Sequence, residues 1–430
     1  MMRRFYTIIL YCLVPLMLLR LYWKGRSFPA YRQRILERFS LSSQPSTPVD
    51  IWLHAVSLGE VVAATPLIDA LLARSFRVMV TTMTPTGSQR VLEQYGQRVQ
   101  HQYLPYDLPW CLARFLHQVQ PKVLVIMETE LWPNLIDSAH RAQISIVLVN
   151  ARISDQSWPS YLRTRWFFNP VLRQINRIVT QSLDDSRRFV RLGADERQVS
   201  MLGNMKFDIQ FPEGLPQQLV ELQHRWGYSR VVLLLASTHD DEEAQWLAQY
   251  ENLKRHIPDL LILIAPRHPQ RFQIVYDQSM QLGFKTGRRS QPETIEQALE
   301  VIVVDSLGEL FSFYQLCHYA FVGGSLVPVG GHNVLEPMAA GVPVFVGPYM
   351  QNSKAICTEL LEAKALQQSH GIEQSVAQLL QLHQDSRQTQ QQVQCATAVL
   401  AANQGCVQRY LAVIEESMQP MLSANHLLET

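Results

Sequence analysis

Short apolar runs rich in β-branched residues recur along the first half of the chain: IWLHAV at 51–56, VMVTT at 78–82, VLVIM at 123–127 and IVLV at 146–149. Between them, stretches such as 61–74 and 110–119 place their apolar residues at helical spacing. Strand-length runs alternating with helices predict a parallel sheet covered on both faces. Weaker runs at 178–180 and 199–202 are candidates to complete that sheet. FPEGLPQQ at 211–218, with two prolines and a glycine, breaks the pattern. It restarts with runs at 231–235, 260–264, 301–304, 318–322 and 344–346, and a glutamine- and alanine-rich tail over 375–410 reads as helical. Two α/β domains with a cleft between them follow, the boundary falling near 210.

The first residues differ in kind. FYTIILYCLVPLMLL at 5–19, extended by Leu21, Tyr22 and Trp23 across Arg20, approaches the length a spanning helix needs. No small-residue cleavage site follows, which predicts a retained anchor rather than a removed signal. Arg3 and Arg4 precede the run and Lys24, Arg26, Arg32, Arg34 and Arg38 follow it, which puts the bulk of the protein on the cytoplasmic side. The alternative is a helix lying in the membrane surface with Arg20 snorkelling. SSQPSTP at 42–48 reads as the linker to the body.

Composition narrows the function. A formal charge of +1 on 430 residues argues against a general nucleic-acid binder. Six cysteines without a CxxC pair predict neither a disulfide framework nor a zinc site. His54, His239, His268 and His332 fall near strand ends but lack HExxH spacing, and no D-x-D pair, Walker loop, GxGxxG after the first strand or GxSxG elbow is present.

Candidate chemistry clusters where strands end. AFVGGSLVPVGGHNVLEPMAAGVPVFVGP at 320–348 packs strand, glycine loop, helix and strand together. Its glycines allow close backbone approach, and a helix start after His332 and Asn333 suits a phosphate. HAVSLGE at 54–60 enters a helix with Glu60 in its first turn, either a dipole partner or a base. METELWPN at 127–134 offers Glu128 and Glu130, which share a face if the strand persists. Paired carboxylates suit acid–base work, the plainer reading being that one of them pairs Arg152. Arg267 and His268 form a natural anion clamp, and Ser237 and Thr238 offer hydroxyls. Leu307, Gly308 and Glu309 read as a helix start, and 240–243 as an acidic first turn.

Together these segments resemble the 3-deoxy-D-manno-octulosonic acid (Kdo) transferases, which add Kdo to the lipid A precursor of Gram-negative bacteria. The resemblance spans nearly the whole chain and also rests on TTMTPTGSQRV at 81–91, YLPYDLPW at 103–110, NARIS at 150–154, GNMKFD at 203–208, STHDDEE at 237–243 and APRHPQRF at 265–272. It implies a GT-B glycosyltransferase fold of two Rossmann-like domains: an anchor at 1–25, an acceptor domain at 26–210, and a donor domain at 211–430 with C-terminal helices. It also implies an inverting enzyme of the inner membrane, facing the cytoplasm, with CMP-Kdo as donor, lipid IVA as acceptor and no metal or other cofactor. The family's general base falls on Glu60, and its transition-state carboxylate and amine on Glu130 and Lys206. CMP contacts fall on Pro266, Arg267, Leu307, Gly308, Glu309, Asn333, Val334, Leu335 and Glu336. Asp241 stands where the family pattern STHEGEE has glycine. The rivals are a GT-B enzyme using a UDP-sugar and a catalytically silent sugar-nucleotide-binding membrane protein.

Overall fold

The apolar runs become two seven-stranded, all-parallel sheets. The computed structural model describes residues 2–41, 47–209 and 214–418, so most of the linker expected at 42–48 and the start of the break at 211–218 lie outside the described residues. The chain divides into two compact units, residues 1–208 with 403–430, and residues 209–402.

In the first unit the strands are β1 (Ile51–His54), β2 (Val78–Thr82), β3 (Gln100–Tyr103), β4 (Val123–Met127), β5 (Ser145–Ala151), β6 (Arg177–Thr180) and β7 (Val199–Met201), in the order β3-β2-β1-β4-β5-β6-β7. Alternation sends successive residues to opposite faces. Ile51, Leu53, Val123 and Val125 join one core, while Trp52, Leu124 and Ile126 join the other. Both faces are dry, so the central strands send apolar residues to both sides.

The second unit contains β8 (Val231–Thr238), β9 (Leu260–Pro266), β10 (Thr286–Arg288), β11 (Val301–Val303), β12 (Tyr319–Val322), β13 (Val344–Val346) and β14 (Gln367–Gln368), in the order β10-β11-β9-β8-β12-β13-β14. Leu233 and Leu235 face one core, and Val232, Leu234 and Ala236 the other. Apolar runs do not announce β3, β10 and β14. Each lies at or against a sheet edge with few or no large apolar side chains, and register with its neighbour defines it.

The donor domain expected over 211–430 ends earlier, because the last helix leaves it. Cys406, Val407, Tyr410, Leu411 and Ile414 of the Cys406–Met418 helix complete the first unit's core beside Val147 and Val149. Asp208 caps that helix, accepting from the backbone N–H of Gly405 at 2.5 Å and of Val407 at 2.6 Å, and the Tyr410 hydroxyl donates to the Gly203 carbonyl at 2.8 Å. An amphipathic helix requires a core without specifying which one.

The apolar start is one helix, Met2–Ser27, long and apolar enough to cross a membrane. One face lies on the first unit: Leu21 is buried with Tyr106, Leu108 and Cys111, and Leu10, Val14 and Met17 pack against them. Phe5, Ile8, Leu16, Leu19 and Trp23 are exposed.

Candidate active site

In each sheet the first strand has chain order running outward on both sides of it, with a switch between β1 and β4 in the first unit and between β8 and β12 in the second, where β10 lies outside β11 at the far edge. Such switch points leave a crevice beyond the carboxyl ends of the strands, where open α/β sheets hold ligands. Residues picked out by the sequence lie at both points.

In the first unit β1 runs into the Leu58–Ala73 helix, capped by Ser57. Glu60, in the first turn, folds back: Oε2 accepts the Val56 N–H at 2.8 Å, and Oε1 accepts the Ser57 hydroxyl at 2.9 Å. Ser57 Oγ accepts the Glu60 N–H at 3.4 Å, the side-chain bond of an N-cap, while the Glu60 carboxylate reaches one residue further back, to Val56. A carboxylate has about four acceptor sites, so these contacts leave Glu60 able to accept a proton. Burial pushes its pKa up to about 7; the Val56 and Ser57 hydrogen bonds oppose this, and the charges of Glu130 and Glu128 add to it.

Those two carboxylates follow β4. The strand stops at Met127 and Glu128 turns left-handed with φ 54°, so the shared strand face expected for Glu128 and Glu130 does not form. Glu128 turns to Arg152, whose Nε donates to Oε2 at 3.1 Å, as the plainer reading held. Glu130 accepts the Trp132 indole N–H at 2.8 Å, and burial raises its pKa. Trp132, two residues further on, orients the second carboxylate.

Lys206 arrives from beyond β7 on a single turn, Met205–Phe207. A ring of amides fixes that turn. Asn150 Oδ1 accepts the Met205 N–H at 3.3 Å, Asn204 Oδ1 accepts the Lys206 N–H at 3.0 Å, and Gln181 bridges Asn204 and the Asn150 carbonyl at 3.0 and 2.9 Å. Burial lowers the Lys206 pKa, Glu128 pulls it up and Arg152 lowers it further. The structure thus brings Glu60, Glu130, Glu128, Arg152 and Lys206 together, with Glu128 between the two cations and the other two carboxylates. His54 belongs to the core instead: it is fully buried, bonded to Thr81 at 3.0 Å, and burial pushes its pKa down to about 4.

In the second unit Glu242 and Glu243 stand in the first turn of the Glu242–Ala248 helix, as expected for 240–243, but they do more than face its dipole. Glu242 and Glu243 are fully buried. Glu242 accepts four backbone N–H groups, from His239 and Gly324 on Oε2 at 2.9 and 2.7 Å and from Ser325 and Leu326 on Oε1 at 3.0 and 2.9 Å. Burial raises its pKa and those donors pull it back. The backbone N–H groups at the start of the glycine loop, where the sequence suggests close approach of a ligand, are therefore occupied by the protein's own carboxylate. Gly323 has the same cause: a Cβ there would sit 2.6 Å from the Ser237 carbonyl and 2.8 Å from Glu242. Protein atoms, rather than a ligand, require that glycine. Glu243 accepts the Thr238 hydroxyl at 2.6 Å and pairs Arg271 at 2.6 Å.

Asp241, where the family pattern has glycine, adopts φ 75°, so the turn keeps the glycine-like geometry with an L residue in it. Three imidazoles distant in sequence also meet. The Nε2 atoms of His239 and His332 lie 2.8 Å apart, and the His268 ring centroid lies 5.3 Å from that of His239. Burial, Arg267 and the other two rings push His332 down to about 4. Strand-end spacing was the only signal for this trio.

The expected nucleotide contacts are laid along the same strand ends. Pro266 closes β9, and Arg267, exposed, donates its backbone N–H to the Thr238 carbonyl at 3.0 Å. Its charge acts on His332, His239 and Glu336, so these residues form one cluster. Asn333 stands before a helix of five residues, Leu335–Ala339, bonding the Leu335 N–H at 3.0 Å and Glu336 Oε1 at 3.0 Å. Val334 and Leu335 bury their side chains, which leaves only their backbone for a ligand. Leu307 is 72% exposed and Gly308 has φ 83°. Glu309 starts the Leu310–Tyr314 helix and is held by Arg289 Nη2 at 2.9 Å. Among the described residues no group of three His, Cys, Asp or Glu side chains has metal-holding geometry.

Residues 33–209 match the family model described as 3-deoxy-D-manno-octulosonic-acid transferase (kdotransferase). The chain is similar to the 3-deoxy-D-manno-octulosonic acid transferase of Haemophilus influenzae, 36% identical with 97% of this chain and 99% of the relative covered. That of Bordetella pertussis is 32% identical, covering 96% and 99%. The structure resembles a putative UDP-N-acetylglucosamine 2-epimerase from Listeria monocytogenes with a TM-score of 0.56 at 14% identity, covering 86% of this chain and 96% of that one. At that identity the likeness concerns the fold alone, two parallel-sheet units of the GT-B fold class.

Proposed function

The chain belongs to the 3-deoxy-D-manno-octulosonic acid transferase family and is a glycosyltransferase; from that premise we propose that it moves Kdo from CMP-Kdo to lipid IVA, with inversion and with Glu60 as general base. Glu60 takes the proton of an acceptor sugar hydroxyl as that oxygen attacks the anomeric carbon of Kdo. The bond from that carbon to the CMP phosphate breaks on the opposite face, and CMP leaves with the electron pair. One observation carries this reading: a half-buried carboxylate with unused acceptor sites, raised to about 7 beside two other carboxylates. A base works best with a pKa near the operating pH.

Glu130, oriented by Trp132, and Lys206, held by the amide ring, support the charge that develops during transfer. Pro266, Arg267, the Leu307–Glu309 turn and the Asn333–Glu336 turn hold the cytidine nucleotide. Arg267 supplies positive charge to the leaving phosphate, in place of a metal ion; loss of activity with chelator and its recovery with magnesium would overturn that part. The exposed apolar face of the Met2–Ser27 helix attaches the protein to the cytoplasmic side of the inner membrane, where an acylated acceptor resides.

The deciding experiment is the mass of the product formed by purified full-length protein from CMP-Kdo and tetraacyl disaccharide acceptor. Addition of one or more Kdo residues is the expected result. Transfer from a UDP-sugar instead, or no consumption of either donor, would replace this reading with one of its rivals.

A further inference from the structure

The N-terminal helix does more in this fold than present an apolar face. From its first two turns three side chains reach one place, the Thr7 hydroxyl sharing its proton with the Arg3 carbonyl at 2.8 Å. Arg3 pairs with Asp137, the Thr7 hydroxyl donates to Asn134 Oδ1 at 3.1 Å, and the Tyr6 hydroxyl donates to Asp107 Oδ2 at 2.9 Å. Asn134 and Asp137 belong to the Pro133–Arg141 helix, which follows the loop bearing Glu128 and Glu130. That helix has no local cap: its N-cap residue is Trp132, which makes no capping side-chain bond. The orphan N–H groups of its first turn are satisfied from a distance by Asp107, which accepts from Asn134 N at 3.1 Å and Leu135 N at 2.7 Å. Asn134 Nδ2 returns a bond to the Asp107 carbonyl at 2.7 Å.

Trp132 links this cap to the candidate chemistry. It is the residue from which the Pro133–Arg141 helix starts, and its indole N–H holds Glu130 Oε2 at 2.8 Å. Its backbone N–H also bonds the Glu130 carbonyl at 3.2 Å. A shift in the helix start therefore moves the group that orients Glu130. Asp107 is 5% exposed and Asn134 1%, so water does not replace a lost partner cheaply.

We propose that Asp107 is a positioning residue for Glu130, clamping the start of the Pro133–Arg141 helix between the catalytic loop and the N-terminal helix. Tyr6 and Thr7 complete that clamp, so docking of the N-terminal helix sets the geometry of the Glu130 loop. The chemical part of the proposal rests on the Kdo-transfer reading above; the mechanical part does not.

Two measurements on the full-length protein in detergent micelles separate them. Tyr6→Phe removes one hydroxyl and keeps the apolar helix, so folding is not at stake. Amide hydrogen exchange over residues 130–136 is expected to accelerate about tenfold, the cost of one bond to a carboxylate, while the β-strand amides keep their protection. In the same preparation kcat for Kdo transfer falls about three- to tenfold with KM for CMP-Kdo unchanged, because donor contacts are untouched. Asp107→Asn, which loses acceptor capacity on two N–H groups, enlarges both effects. Unchanged exchange in Tyr6→Phe overturns the proposal, and so does accelerated exchange with wild-type kcat. A wild-type protein that transfers no Kdo refutes the functional reading instead, and the exchange result still decides whether the helix clamps the loop.

Discussion

The two units place a glutamate at the same topological station, where the strand at the switch point gives way to a helix, and surround it differently. Glu60 follows β1 and Glu242 follows β8. Glu60 accepts one backbone N–H and one hydroxyl, and two further carboxylates crowd it. Glu242 accepts four backbone N–H groups and ties the end of β8 to the loop after β12. Sheet order does not assign the job. The number of donors already committed to the carboxylate separates them: Glu242 is saturated, whereas Glu60 keeps acceptor sites for the proton that the proposed mechanism gives it.

The sharpest way to break that comparison is Glu60→Gln, expected to lower kcat by about a hundred- to ten-thousandfold while CMP binding by calorimetry and the thermal midpoint stay near wild type. Turnover within a few-fold of wild type would remove Glu60 from the chemistry. Glu242→Gln should do the reverse. Its amide offers one acceptor oxygen to a site with four donors, so urea unfolding should show a loss of about 3 kcal/mol. An unchanged unfolding free energy with a Glu60-like loss of rate would abolish the distinction.

A smaller effect follows from pH. With the Glu60 pKa raised to about 7, its ionised, proton-accepting form is lost below that value. The pH profile of kcat/KM should therefore fall on the acid side of about 7, approaching tenfold for each further unit. An acid limb near the ordinary value of 4.5 would mean that burial does not act on this group. Stability carries the opposite sign. The unfolded chain loses this proton first, so the Glu60 contribution becomes less favourable as pH rises from 4.5 to about 7 and is constant above. The smallest effect concerns Asp241. Held at φ 75°, it should gain roughly 0.5 kcal/mol on replacement by glycine, read from the urea midpoint, with kcat unaltered. A loss of stability would mean that the Asp241 bond from Gln245 at 2.9 Å outweighs the backbone strain.

Much of this was legible before the fold. Central strands such as β4 and β9 are dry on both faces, and continuous apolar runs report that directly. Edge strands such as β3 and β14 are partly wet and draw their definition from a neighbour's register, which no local pattern encodes. Glu60 and Glu130 were marked by type and station. Trp132 as the holder of Glu130 and Asp107 as a cap reaching across 27 residues were not, because a hydrogen bond between distant segments leaves no spacing to read.

By itself the sequence determined which stretches must be buried, where strands hand over to helices, and which side chains bear chemistry, because these depend on local polarity and backbone preference. Only the tertiary structure decided what each charged group faces. It gave the donors of the glycine loop to Glu242, sent Glu128 to Arg152, gathered three histidines and returned the last helix to the first unit's core. Polarity states that a group needs a partner or a face needs cover. Which partner or cover it receives depends on distances that exist only once the chain has folded.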